Sequence, residues 1–358
     1  MKVFYLINSL KNGGPVNMLY TLVKYMQSYN IKMTVIALKQ SPVNNSRDFS
    51  HLNCTVNILN RGGLKENIQE CQKIVDCEKP DIIHSHGGVA DLVNSRLKGD
   101  FVSYSTVHCD PDEDFTMKLG KFKGWLKATA FIASIKKIDN PIACSETVAN
   151  KIYAKRGINL NYIRNGIDLK RANVGNCNIT RKDLDISEDA IVLIFCGYLS
   201  KRKNARYICE AIKKTSRKDI YLLVLGDGEE FIPISEEYKD CDRIRMIGRV
   251  LNPYAYYIIS DVFISASLSE GLPLAVMEGM GCGLKAMLSN IDSHREMKKC
   301  CNEGVELFSL KQIDELIQDI ETLESTTVHE KGKKARETVL NYLNAKRMAQ
   351  EYYEMYLK

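Results

Sequence analysis

A repeated alternation constrains this chain more than any other feature. Short apolar runs are each followed by turn residues and then by a stretch with helical periodicity. The first series reads Val3–Ile7 (strand), Asn12-Gly13-Gly14 (tight turn) and a helix from Pro15, a residue suited to a first turn, to about Tyr29. It continues with Met33–Leu38 (strand), Glu66–Cys77 (helix), Asp81–His84, Phe101–His108 and Pro141–Cys144 (strands), and Ser145–Arg156 (helix). A looser polar stretch follows, from Asn165-Gly166-Ile167-Asp168 to about Glu188. A second series then begins: Ala190–Phe195 (strand), Asn204–Ser216 (helix), Tyr221–Leu225 (strand) with Gly226-Asp227-Gly228 behind it, Ile244–Ile247, a helix near Pro253–Ser260, Val262–Ala266 and a helix over Leu274–Met280. Helical stretches over Leu310–Leu323 and Glu330–Tyr356 close the chain. Alternation of this kind predicts parallel sheets covered by helices on both faces.

At roughly 100–200 residues per domain, 358 residues accommodate two such Rossmann-like α/β domains, expected over 1–168 and 169–340. A ligand would sit at the C-terminal strand edges. Charge is unevenly placed: residues 1–168 hold 22 Lys and Arg against 15 Asp and Glu, and residues 169–358 hold 28 against 29. One half is basic, the other neutral. No apolar run approaches the ~18–20 residues that span a bilayer. Met1–Leu10 turns polar at Asn8-Ser9, so no secretory signal is expected. The twelve cysteines form no Cys-x-x-Cys pair, which argues against a zinc ribbon or a thioredoxin motif and for reduced thiols in a cytoplasmic protein.

The strongest local feature is Ser267–Gly283, where a strand runs into a glycine-bearing loop and then a helix opened by Pro273-Leu274. Free amides at a helix start suit a phosphate. Glu270 before the loop and Glu278 along the helix bracket that cradle. Ionised carboxylates only accept hydrogen bonds, so the pair suits a hydroxyl-rich ligand.

This segment resembles the Glu-x7-Glu signature of glycosyltransferase family 4, retaining enzymes with the twin-Rossmann GT-B fold. The resemblance covers essentially the whole chain. Gly13-Gly14 fits the family's glycine loop, and Ser105-Thr106-Val107-His108 its strand-end histidine. Ile142–Glu146 and Ile163–Asp168 fit the approach to the interdomain hinge. Phe195–Asn204 resembles the phosphate-binding segment, and Leu225–Gly228, Ile247–Val250 and Ser260–Ser265 follow in the expected order.

The resemblance implies two domains facing across a cleft, with a last helix, 341–358, crossing back to the first domain so that closure gates catalysis. It implies His108, Lys203 and Glu270 as catalytic residues. Lys203 would neutralise the diphosphate leaving group, Glu270 would meet sugar hydroxyls, and His108 would approach the sugar. Donor contacts would come from Gly13, Gly14, Tyr198, Arg202, Val250, Gly271, Leu272, Pro273, Leu274 and Glu278, the last from the ribose. Position 198 is Tyr where the family usually carries Arg; a phenol brings no positive charge, and Lys201 or Arg202 on the same loop are the substitutes. The implied co-substrate is a nucleotide diphosphate sugar, UDP-linked, with no cofactor and no metal. The implied acceptor is a saccharide hydroxyl on a lipid-linked intermediate of bacterial surface polysaccharide. An epimerase or hydrolase of the same fold, or a silent nucleotide-sugar-binding protein, remains an alternative.

Other features favour plain readings. His84-Ser85-His86 shows no third metal ligand nearby, and Gly226-x-Gly228 lacks the third glycine of a dinucleotide fingerprint. Cys109 beside His108 would face the opposite side of a strand. The stretch Phe115–Ile138 says more: six lysines, including Lys118, Lys121, Lys123 and Lys127, no acid, apolar residues at helical spacing, and the only tryptophan, Trp125. Such a segment suits an anionic membrane surface, or else is a solvated lysine face over an ordinary core stripe. With the resemblance, the basic half points to a peripheral membrane contact and away from nucleic acid. The run Asp110–Asp114 just ahead lines the acceptor cleft or caps this segment.

Overall fold

The structure, a computed structural model, describes residues 1–42, 46–60, 62–170 and 179–358. The middle of the polar stretch 165–188 therefore lies outside the described residues. The chain forms two compact units: Met1–Gly166 with Ala345–Lys358, and Ile167–Asn344. The sequence reading places the corresponding breaks at 168/169 and 340/341.

The first unit holds β1 (Lys2–Ile7), α1 (Gly14–Met26), β2 (Lys32–Ala37), β3 (Thr55–Ile58), α2 (Leu64–Glu78), β4 (Ile82–His86), α3 (Gly88–Asn94), β5 (Val102–Val107), α4 (Pro111–Leu119), α5 (Lys121–Ile135), β6 (Asn140–Ala143), α6 (Glu146–Arg156) and β7 (Asn161–Tyr162). Its seven-stranded sheet has the order β3-β2-β1-β4-β5-β6-β7, every pair parallel. Strands covered on both faces need apolar residues at every position, and β1 is buried from Val3 to Ile7. Phe4, Leu6, Ile36, Ile83, Cys71, Val75 and Val93 form one core layer between the sheet and α2 and α3. Burying a large aliphatic or aromatic side chain of this kind contributes roughly 1.5–3 kcal/mol.

The second unit holds β8 (Ile191–Cys196), α7 (Ala205–Lys214), β9 (Ile220–Leu225), α8 (Phe231–Glu237), β10 (Ile244–Gly248), α9 (Tyr254–Ile258), β11 (Val262–Ser265), α10 (Leu274–Gly281), β12 (Lys285–Ser289), α11 (Asp292–Cys300), β13 (Val305–Phe308), α12 (Ile313–Glu321) and α13 (Ser325–Tyr342). Its six-stranded parallel sheet has the order β10-β9-β8-β11-β12-β13. Both sheets are doubly wound α/β.

Several elements differ from the sequence reading. The glycine loop 12–14 is not a strained turn: Gly13 is extended (φ 172, ψ 169), and a Cβ on Gly14 would meet nothing within 4 Å. The lysine-rich stretch is two helices broken at Gly120 (φ 78). Gly124 lets them pack closely, since a Cβ there would lie 2.5 Å from the Thr116 Cα. The acidic run just ahead is structural. Asp110 caps α4 by accepting from the Asp112 amide at 3.0 Å, and Asp112 and Glu113 pair with Arg156 and Lys151 of α6.

The expected helix Glu330–Tyr356 is broken at Leu343-Asn344 into α13 and α14 (Ala345–Tyr356). Helix α14 belongs to the first unit. It packs on α1, and Tyr353 stacks on Tyr29 with ring centres 4.0 Å apart.

Candidate active site

A doubly wound sheet opens a crevice at the carboxyl ends of its strands, where the strand order reverses. In the second unit that point lies between β8 and β11, and the loops behind those strands are tied together. The Leu268 amide donates to the Arg202 carbonyl at 2.8 Å. The Arg202 guanidinium donates to the Ser269 carbonyl at 2.5 Å and to the Glu270 carboxylate at 3.2 Å. Lys203 Nζ donates to the other Glu270 oxygen at 2.5 Å. The Glu270 side chain is only 9% exposed. Burial alone would raise its pKa, but Lys203 and Arg202 outweigh it and hold the carboxyl down to about 2. Glu270 is therefore a fixed anion gripped by two cations.

The loop carrying those cations is positioned by Gly226 and Gly228, both at positive φ. A Cβ on Gly226 would fall 1.8 Å from the Gly197 carbonyl oxygen, and one on Gly228 2.2 Å from that of Leu199. Only glycine lets the β9 end pass under the β8 loop so closely. The Gly226 amide in turn donates to the Gly248 carbonyl at 2.8 Å, which holds the loop containing Val250 at the same edge. Leu272 is buried, and Pro273 precedes Leu274 at the start of α10, whose first turn has no side-chain cap. Glu278 lies along α10, close enough for its charge to raise the Cys196 thiol and the Tyr257 phenol beyond what burial does. Tyr198 is 55% exposed.

No motif in the sequence marks His294, which lies on α11 behind β12. It is fully buried, with Nδ1 donating to the Ser289 carbonyl at 2.8 Å. Burial pushes its pKa down to about 4, against the pull of Glu270.

In the first unit the order reverses between β1 and β4, and the strand ends carry histidines. Both His84 nitrogens are engaged, Nδ1 with the Tyr356 hydroxyl at 2.5 Å and Nε2 with Thr106 Oγ1 at 2.8 Å. His86 Nδ1 lies 3.3 Å from Nε2 of the partly exposed His108. Gly13 and Gly14 stand exposed at the start of α1 in this unit. Lys118 lies in the last turn of α4, and Lys121, Lys123, Trp125 and Lys127 lie on α5. Direct contact thus joins Arg202, Lys203 and Glu270. The remaining donor candidates of the second unit lie on adjoining strand-end loops or on α10.

Residues 12–171 match the family described as Glycosyltransferase Family 4, and residues 178–339 match Glycosyl transferases group 1. The chain belongs to the family 4 glycosyltransferases. The transferase is 26% identical to UDP-Gal:alpha-D-GlcNAc-diphosphoundecaprenol alpha-1,3-galactosyltransferase of Escherichia coli, over 80% of this chain and 77% of the relative. It is 25% identical to the O-antigen biosynthesis glycosyltransferase WclY of Escherichia coli, over 99% and 98%. Among solved structures it resembles Anabaena Alr3699/HepE in complex with UDP-glucose (TM-score 0.84, 16% identity, 99% of each chain). It also resembles sucrose-phosphate synthase from Thermosynechococcus elongatus (TM-score 0.82, 16% identity, 99% and 98%). The fold of the transferase is the GT-B type, with two Rossmann-like domains.

Proposed function

We propose that this glycosyltransferase moves a hexose-type sugar from a UDP-sugar to a saccharide hydroxyl on a lipid-linked intermediate of bacterial surface polysaccharide, with retention and without a divalent metal. The observation that carries the reading is the buried Glu270 held between Lys203 and Arg202 at the strand-order reversal of the second unit. A carboxylate that stays ionised accepts from sugar hydroxyls, and cations beside it neutralise charge developing on a departing diphosphate. Those two cations take the electrostatic part that a metal plays elsewhere. Glu278 is assigned to the ribose, and residues 271–274 to sugar and phosphate through their amides. His108, Gly13 and Gly14 are assigned to the substrate side of the first unit.

In the retaining step the acceptor oxygen bonds to the anomeric carbon on the face that the diphosphate leaves, and the acceptor proton passes to the leaving phosphate oxygen. The named relatives act on an undecaprenol-linked substrate and in O-antigen biosynthesis, which favours a lipid-linked acceptor for this chain as well. Helices α4 and α5 suit such a substrate. Phe122, Trp125 and Leu126 are 74%, 51% and 48% exposed among lysines, so the apolar stripe is not core. These exposed aromatic and basic residues support a peripheral place at the cytoplasmic face of the membrane. No helix of the described residues is long and apolar enough to cross a membrane.

The test is a panel of nucleotide sugars scored by thermal stabilisation, then by transfer to undecaprenyl-diphosphate-linked sugars in EDTA. UDP and one UDP-sugar should raise the melting point, the product should keep the donor's anomeric configuration, and turnover should survive chelation. Glu270→Gln should abolish transfer while the protein stays folded. If neither UDP nor any nucleotide sugar stabilises the protein, the reading fails; free sugar released without an acceptor would make it a hydrolase.

A further inference from the structure

His86 and His108 share one hydrogen bond, 3.3 Å from Nδ1 to Nε2, at the carboxyl ends of β4 and β5. Such a contact between neutral imidazoles needs one donor and one acceptor. Both rings are held neutral by burial, which pushes their pKa values below the usual range. The direction of the bond follows from the other end of His86, whose Nε2 is buried and meets no hydrogen-bond partner. If His108 were the donor, the His86 proton would sit on that Nε2. A buried N–H would then lack an acceptor, the costlier of the two possible orphans. With the proton on Nδ1, His86 leaves only a bare lone pair.

The His86 ring has little freedom to choose otherwise. It stacks on His84 with ring centres 4.4 Å apart. His84 is fixed at both nitrogens, and its partner Thr106 also meets the Tyr352 hydroxyl of α14 at 2.8 Å. Among the described residues no hydrogen-bond partner meets Nδ1 of His108.

We infer that His86 is a positioning residue: it donates to His108 Nε2, fixes His108 in the Nδ1–H tautomer, and makes it a hydrogen-bond donor to an oxygen of the bound substrate instead of a base. The catalytic meaning rests on the sugar-transfer reading above; the tautomer does not.

Nitrogen-resolved NMR of the ligand-free full-length protein at neutral pH reads the tautomer directly, and His108 should show a protonated Nδ1 and a bare Nε2. His86→Phe keeps a flat ring and removes the donor; the Nε2–H form of His108 should appear and kcat should fall about tenfold, more than KM changes. His86→Asn puts an amide N–H where Nδ1 stood and should restore the tautomer and the larger part of kcat. An Nε2–H His108 in the parent protein overturns the inference, and so does His86→Phe with tautomer and kcat unchanged. If His86→Phe does not fold, the parent tautomer and His86→Asn decide. The expected tautomer in a protein that transfers no sugar would uphold the positioning and sink the transferase reading.

Discussion

At the scale of single residues, the loop behind β8 carries the sharpest departure from the family pattern. Tyr198 stands where the resemblance implies an arginine, and it is 55% exposed. Arg202, four residues on, brings its guanidinium to Glu270 and the Ser269 carbonyl. Arg202 thus brings to Glu270 a positive charge that the phenol of Tyr198 does not carry. A charge-assisted hydrogen bond contributes about 1.5–3 kcal/mol, or roughly ten- to a hundredfold in affinity. Arg202→Ala should therefore weaken UDP-sugar binding by about that factor, while Tyr198→Phe should stay within about twofold, as titration calorimetry would show. Equal losses in the two variants would return the charge-replacing role to another group. Glu270 and Lys203 were legible as residue types in sequence order. Their contact was not, because 67 positions separate them and only the strand order brings β8 beside β11.

At the scale of elements, α4 and α5 illustrate what spacing can and cannot reveal. The lysines and the apolar stripe were visible in the chain, but periodicity alone does not distinguish a stripe that is covered from one that is bare. Among the described residues the covered face of α5 is Ala128, Phe131, Ile132 and Ile135, leaving Phe122, Trp125 and Leu126 outward. Interfacial binding grows with buried apolar area and with basic residues near an anionic surface. Phe122→Ser with Trp125→Ser should abolish co-sedimentation with phosphatidylglycerol vesicles without lowering the melting temperature. Retained binding would remove the membrane role of this face. The short strands β3, β12 and β13 escaped the sequence reading, since β3 is half-exposed and mixed in polarity, and Lys285 and Glu306 interrupt the apolar pattern of the other two. Their charges are paired with each other at 2.6 Å.

At the scale of the whole molecule, buried titratable groups set the pH response. His84, His86, His108 and His294 all have pKa values lowered by burial. Unfolded histidines titrate near 6.5, so below that pH the unfolded chain binds more protons than the native one, and stability falls. Each fully buried ring costs roughly 1–2 kcal/mol by about pH 5. Asp91 has the opposite sign. Burial, only partly offset by the hydroxyls of Ser85 and Ser105, raises its pKa to about 7. The native state then holds a proton that the unfolded state lacks between about 4 and 7, and this contribution is lost as pH rises through 7. Denaturation midpoints should peak near neutrality and drop between pH 6.5 and 5, as about those pKa values require. Asp91→Asn should raise the midpoint at pH 8 more than at pH 5. A flat profile from 7 to 5 would contradict neutral buried histidines.

The sequence by itself determined the α/β class, the two successive series and the glycosyltransferase family, because apolar runs, turn residues and ordered motifs are local signals. Only the tertiary structure decided which charges meet and which stripe is bare. The family resemblance already sent the last helix back to the first domain; the structure adds the break at Leu343-Asn344 and the contacts by which Tyr352 and Tyr356 of α14 complete the histidine network. Those outcomes depend on partners from 67 to 272 positions away, and the periodicity of a single segment carries no information about what covers it.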